Sequence, residues 1–158
     1  MTWDWVRDNN EFRKILEKSD KKHGCKNLTP DSTIDQLIKC SWMLALHKDG
    51  DCMGYVLYEW TGDREAAIHV CALGSGFNRL TAWRKVKGAI FDHADIINAY
   101  IPLNRPRLAK LAELEGFTIT KKRDYYYGQI TKTQATGASS ARSSTSDSRG
   151  RQRASQFK

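Results

Sequence analysis

The chain has 158 residues, 40% of them hydrophobic, enough for one ordinary domain with a real core. It holds no apolar run long enough for a spanning helix and no basic-then-apolar N-terminus, which argues against membrane and secretory classes and predicts a cytoplasmic protein. The net charge of +8 is uneven: from Thr131 to Lys158 six basic residues face Asp147 alone, a net +5, while residues 1–130 carry 20 basic and 17 acidic side chains.

Thr2–Val6 reads as a short opening strand. Asp8 and Glu11 have capping-box spacing, and Phe12, Ile15 and Leu16 mark the buried face of a first helix that Gly24 ends. Thr29-Pro30 opens a second helix with the stripe Ile34, Leu37 and Ile38. Three strands follow as an antiparallel meander: Ser41–His47, Cys52–Trp60 and Ala66–Leu73. The first turn, Lys48-Asp49-Gly50-Asp51, carries the Asp-Gly hairpin signal. After the loop Gly74–Arg79, a helix runs to about His93 with Leu80, Trp83, Val86 and Ile90 on one side. Ile96–Ile101 is a strand. Asn104 is expected to cap the next helix, with Pro106 in its first turn, Leu108, Leu111 and Ala112 on its apolar side and Gly116 just past its end. Phe117–Lys121 and Tyr125–Thr131 form a final hairpin. From Gln134 onward Ser, Arg, Gly, Ala, Gln and Thr dominate, a composition that cannot offset chain entropy by burial. The pattern predicts a domain over 1–131 and a disordered basic tail over 132–158.

The order β-α-α-β-β-β-α-β-α-β-β resembles the GNAT superfamily of N-acetyltransferases. Two segments sharpen the resemblance. One is the strand, glycine-bearing loop and helix His69-Val70-Cys71-Ala72-Leu73, Gly74-Ser75-Gly76-Phe77-Asn78-Arg79, Leu80 onward. The other is the helix from Asn104 that ends in Gly116-Phe117. The resemblance implies an α+β domain built on a mixed, mostly antiparallel sheet with helices on both faces. It also implies transfer of an acetyl group from acetyl-CoA to an amine. Cys71, Ala72, Leu73, Gly74, Ser75, Gly76, Phe77, Asn78, Arg79, Arg84 and Asn104 would then hold the cofactor. Small residues and the open N–H groups of a helix start suit an anionic pyrophosphate. Two positions depart from the family pattern. Gly74 and Gly76 sit close to the strand, with Phe77-Asn78-Arg79 leading into the helix. Ala112 stands where many members carry the tyrosine that protonates the departing thiolate, a role that falls to Tyr100 or to one of Tyr125–Tyr127. The short domain also resembles GNAT-like proteins of tailed bacteriophages, which implies an alternative: an inactive binding or assembly module, in the host cytoplasm or the virion.

His69, with Glu65 just before its strand, is the expected general base; a buried, hydrogen-bonded histidine is the competing reading. An exposed glutamate is a weak base at neutral pH. Arg84, Lys85 and Lys87 either bind CoA phosphates or form a solvated face. Tyr125–Tyr127 either shape a substrate pocket or pack an edge strand. The tail is either a solubilising segment or a contact for nucleic acid or a virion partner; it has the charge for phosphates but no interleaved aromatics for bases. Cys25, Cys40, Cys52 and Cys71 lack CxxC spacing and form no zinc pattern with the four histidines, so reduced thiols and no metal are expected.

Overall fold

The computed structural model describes residues 1–23 and 34–135. The elements are β1 (Thr2–Trp5), α1 (Asn9–His23), α2 (Ile34–Cys40), β2 (Ser41–Lys48), β3 (Asp51–Gly62), β4 (Glu65–Ala72), α3 (Arg79–Phe91), β5 (Ile96–Pro102), α4 (Pro106–Leu114), β6 (Thr118–Lys121) and β7 (Tyr125–Thr131). The order matches the expected one, with ends moved by one or two residues except at the start of the second helix, whose expected opening lies outside the described residues. Two compact units divide the chain, Met1–Tyr100 and Ile101–Lys158. Gly24, Cys25, Thr29-Pro30 and residues 136–158 of the tail lie outside the described residues.

In the first unit the strands lie in the order β1-β2-β3-β4-β5. The first three pairings are antiparallel and β4 with β5 is parallel. The β2–β3 hairpin turns through Asp49 and Gly50, both at positive φ (52° and 82°), as an Asp-Gly turn requires. Asp8 caps α1, its carboxylate accepting from the N–H groups of Asn10 (2.7 Å) and Glu11 (3.0 Å). The Glu11 carboxylate reaches across to His47 Nε2 at 3.2 Å.

Residues of one parity along β2, β3 and β4 form one face of the sheet. Met43, Ala45, Tyr55, Leu57, Cys71 and Leu73 meet Phe12, Ile15 and Leu16 of α1 and Leu37 of α2 there, with Ile34 and Ile38 packed against them. The opposite parity carries Leu44, Leu46, Val56, Tyr58, Ala66 and Ile68, all buried. The residues flanking α3 on either side touch this second face. The Phe77 ring lies on Gly54, and His93 meets Trp42 with ring centroids 4.8 Å apart. Trp83, Val86 and Ile90 of α3 are buried. Helices therefore cover both faces, which explains why β3 is buried on both sides despite its alternating sequence. Trp5, Trp42, Tyr58 and Trp60 cluster beside His93, Trp42 standing edge-on to Trp60 at 5.0 Å. Burial pushes the Tyr58 hydroxyl up. Cys40, Cys52 and Cys71 are thiols; burial raises that of Cys52.

In the second unit α4 ends in a paired return. Phe117 N–H donates to Ala112 O (3.0 Å) and Gly116 N–H to Glu113 O (3.1 Å), with Gly116 at φ 106°. This is the Schellman arrangement, and its left-handed residue favours glycine. Two expectations for α4 need correction. Arg105, not Asn104, is the N-cap, and it makes no side-chain cap bond. Pro106 disfavours helical backbone in the residue before it, so the helix starts abruptly at the proline. Leu111 is 40% exposed, whereas Ala109 is buried, so the covered stripe is centred on Ala109. β6 and β7 pair antiparallel from Thr118↔Gln129 to Lys121↔Tyr126, and Ile130 and Phe117 are buried. Past β7, Thr131 and Gln134 exchange side-chain to backbone bonds (3.0 and 3.2 Å), and Ala135 is buried.

Candidate functional site

The strand β4 holds two neighbours over different lengths. Its parallel register with β5 runs from Glu65↔Ile96 to Ile68↔Ala99. Its antiparallel register with β3 continues to Ala72↔Gly54. The two registers thus part company at His69. Beyond the strand, the N–H groups of Leu73 and Gly74 both donate to Met53 O, at 2.9 and 3.0 Å. Engaged in this way, the Leu73 N–H is turned toward β3. By strand alternation the N–H of Ala72 points to the opposite edge.

The loop then turns through Gly76, at φ 89° with open space where a Cβ would stand. Asn78 caps α3, its Oδ1 accepting from Thr81 N–H at 3.0 Å. Phe77 is directed at the sheet: its ring stacks over Gly54 of β3 and lies 5.8 Å from the ring of Trp3 in β1. The bulky side chain of the loop is thereby packed toward β1 and β3. The Lys22 ammonium of α1 donates to Leu73 O, placing a cation next to the loop. Arg84 and Lys85 are exposed on α3.

A polar strip lies on the α1/α2 face of the same strands. His69 Nε2 is 3.5 Å from Glu59 Oε2, with side chains 9% and 12% exposed. That is ion-pair range and longer than an ordinary hydrogen bond. Glu65 Oε1 accepts from Asn98 Nδ2 at 2.6 Å. Ser41, in register with Glu59, is buried, and its Oγ has no hydrogen-bond partner among the described residues. Buried polar groups held short of full satisfaction concentrate at working sites. Further along the same face, Tyr55 OH donates to Ser19 Oγ (2.8 Å), which lies 3.2 Å from Cys71 Sγ.

Among the expected site residues, His69, Glu65, Cys71, Ala72 and Tyr100 all lie on β4 and β5 of the first unit, and Leu73–Arg79 follow directly. Tyr100 is 44% exposed. Asn104 and Ala112 belong to the second unit, where a shallow groove is lined by Pro106, Arg107, Lys110 and Leu111 of α4. Sequence reasoning missed Glu59, Asn98, Ser41 and Lys22. Among the described residues no cluster of metal-binding side chains occurs, and no helix is long and apolar enough to cross a membrane.

No protein-family model matches the chain, and a search of curated proteins gives no match. Solved structures do match. A mutant form of the spermidine/spermine N-acetyltransferase SpeG from Vibrio cholerae aligns with a TM-score of 0.68 at 15% identity, covering 87% of this chain and 97% of its own. The V. cholerae spermidine N-acetyltransferase in complex with CoA and spermine aligns at 0.64 and 10% identity, over 84% and 97% of the two chains. The Campylobacter jejuni N-acetyltransferase PseH in complex with acetyl coenzyme A gives 0.59 and 12%, over 83% and 99%. At these identities the likeness concerns the fold, and it extends over nearly the whole length of each neighbour. The parting of β4 from β5, the capped α3 behind it and the α4 that closes on Gly116-Phe117 belong to a chain with the GNAT fold of these N-acetyltransferases.

Proposed function

We propose that the chain transfers the acetyl group of acetyl-CoA to an amine. The observation that carries this reading is the divergence of β4 from β5 at His69, one short loop before the capped N-terminus of α3. A thioester arm laid along His69–Ala72 would bring its diphosphate to Gly74–Asn78, beside Lys22 and the first N–H groups of α3. The neighbours that carry CoA or acetyl-CoA support the same choice of cofactor. The amine nitrogen attacks the thioester carbonyl, and the backbone at Cys71–Ala72 stabilises the oxyanion. His69 takes the proton from the nitrogen. The C–S bond then breaks, and the thiolate is protonated, with Tyr100 as the donor from β5.

Calorimetry with acetyl-CoA comes first, then turnover on amines that include spermidine and spermine. His69→Ala is expected to lower kcat about 10²–10⁴-fold, the usual contribution of a general base, with cofactor affinity unchanged. No binding at millimolar acetyl-CoA would remove the enzyme reading and leave a non-catalytic module of this fold.

A further inference from the structure

We propose that Glu59 is the positioning residue for His69: it accepts the N–H of Nε2 and so presents Nδ1 to the acceptor amine. The inference rests on the acetyl-transfer reading above and adds a group to it. Glu59 and His69 are diagonal neighbours on one face of adjacent strands, because Leu57 pairs with His69 and Glu59 with Ala67. Their side chains are nearly closed to solvent, and Oε2 stands 3.5 Å from Nε2. A carboxylate buried to this degree is costly unless it is compensated. Glu59 is the charged group that faces Nε2. From β4, Glu65 is engaged by Asn98 of β5 and Cys71 by Ser19 of α1. Tyr55 of β3 is turned to Ser19, Ser41 of β2 is an uncharged hydroxyl, and Tyr100 of β5 is exposed.

The chemistry follows from the two ring nitrogens. A neutral imidazole has one N–H and one lone pair, and the hydrogen bond made by the first decides where the second points. With Nε2–H given to Glu59, the lone pair on Nδ1 is the base. The proton it takes from the attacking amine makes an imidazolium whose charge faces the carboxylate across a low-dielectric gap. Glu59 itself touches no reacting atom. A gap of 3.5 Å in the ligand-free protein shortens when the transition state forms, as catalytic hydrogen bonds do.

The test is a double-mutant cycle with the full chain. Glu59→Gln keeps the shape and removes the charge. It is expected to lower kcat about 10–100-fold, as loss of an orienting partner does elsewhere, with the KM and calorimetric affinity for acetyl-CoA unchanged. In the His69→Ala background the same change should cost kcat far less, because the catalytic effect of the carboxylate runs through the ring. Ring ¹⁵N signals of His69 in the unmodified protein should show the proton on Nε2. Full kcat in E59Q, an equal loss in both backgrounds, or a wild-type ring protonated at Nδ1 would each overturn the proposal. The NMR result decides the matter should E59Q not fold. Wild-type protein that binds no acetyl-CoA removes the acetyl-transfer reading and this one together. Wild-type turnover with an unaffected E59Q removes the positioning role alone.

Discussion

Gly54→Ala tests why the loop before α3 stands where it does. A Cβ on Gly54 would lie 2.3 Å from Phe77 Cδ2, 2.5 Å from Cγ and 2.6 Å from Cε2, well inside contact distance. The ring must leave the sheet, giving up its contact with Trp3 and pulling on the Gly74–Asn78 turn. Overpacking of this kind costs about 1–3 kcal/mol. For a domain of this size that corresponds to a fall in Tm of about 3–12 °C, measured by circular dichroism. Phe77→Ala removes the obstruction but not the positive φ of 159° at Gly54, so Gly54→Ala should cost less in that background without becoming free, the difference being a coupling of about 1–3 kcal/mol. Acetyl-CoA affinity should fall in G54A more than in a control such as Leu114→Ala on exposed α4. An equal loss of Tm in both backgrounds would refute the reasoning, because the ring would then not be what the new methyl group strikes.

Two further outcomes are expected. Ser19→Ala should destabilise the fold by about 1–3 kcal/mol in urea titrations, since it removes the acceptor of the buried Tyr55 hydroxyl; adding Tyr55→Phe should recover part of the loss. Removing residues 136–158, which hold five basic side chains and Asp147, should leave the Tm unchanged and abolish any salt-sensitive DNA binding; filter binding between 50 and 200 mM salt is the check, and undiminished binding would place the basic surface on the domain.

The elements were legible because each carried a local signal. Asp8, Asp49-Gly50 and Gly116 all sit at the boundaries where their chemistry belongs, whereas the cap at Asn78 is seen only in the structure. Asn104 misled because a good capping residue stood one place too early: the proline at 106 fixes the start of α4, and the cap falls to Arg105. The site was half legible. His69 and Glu65 announce themselves on a strand that leads into a glycine-bearing loop. Their partners do not, because Glu59 is ten residues from His69 and Asn98 thirty-three from Glu65. Only the pairing of three strands makes them neighbours, and register is a property of the sheet. Phe77 carried the opposite lesson. The sequence leaves the direction of this bulky loop residue open, and a glycine on a different strand, Gly54, is what receives it.

The tryptophans give the molecule a built-in optical bias. Trp3, Trp5, Trp42, Trp60 and Trp83 all precede Tyr100, so every indole belongs to the first unit. The second unit holds only tyrosines and phenylalanine as aromatic chromophores among its described residues, Tyr125–Tyr127 chief among them. Emission excited at 295 nm therefore watches one unit and is blind to the other, while far-ultraviolet dichroism sees both. Coincident transitions by the two probes would mean that residues 1–100 and the hairpin that follows melt as a single cooperative body. Separated transitions would mean that the hairpin can open while the strands of residues 1–100 stay intact.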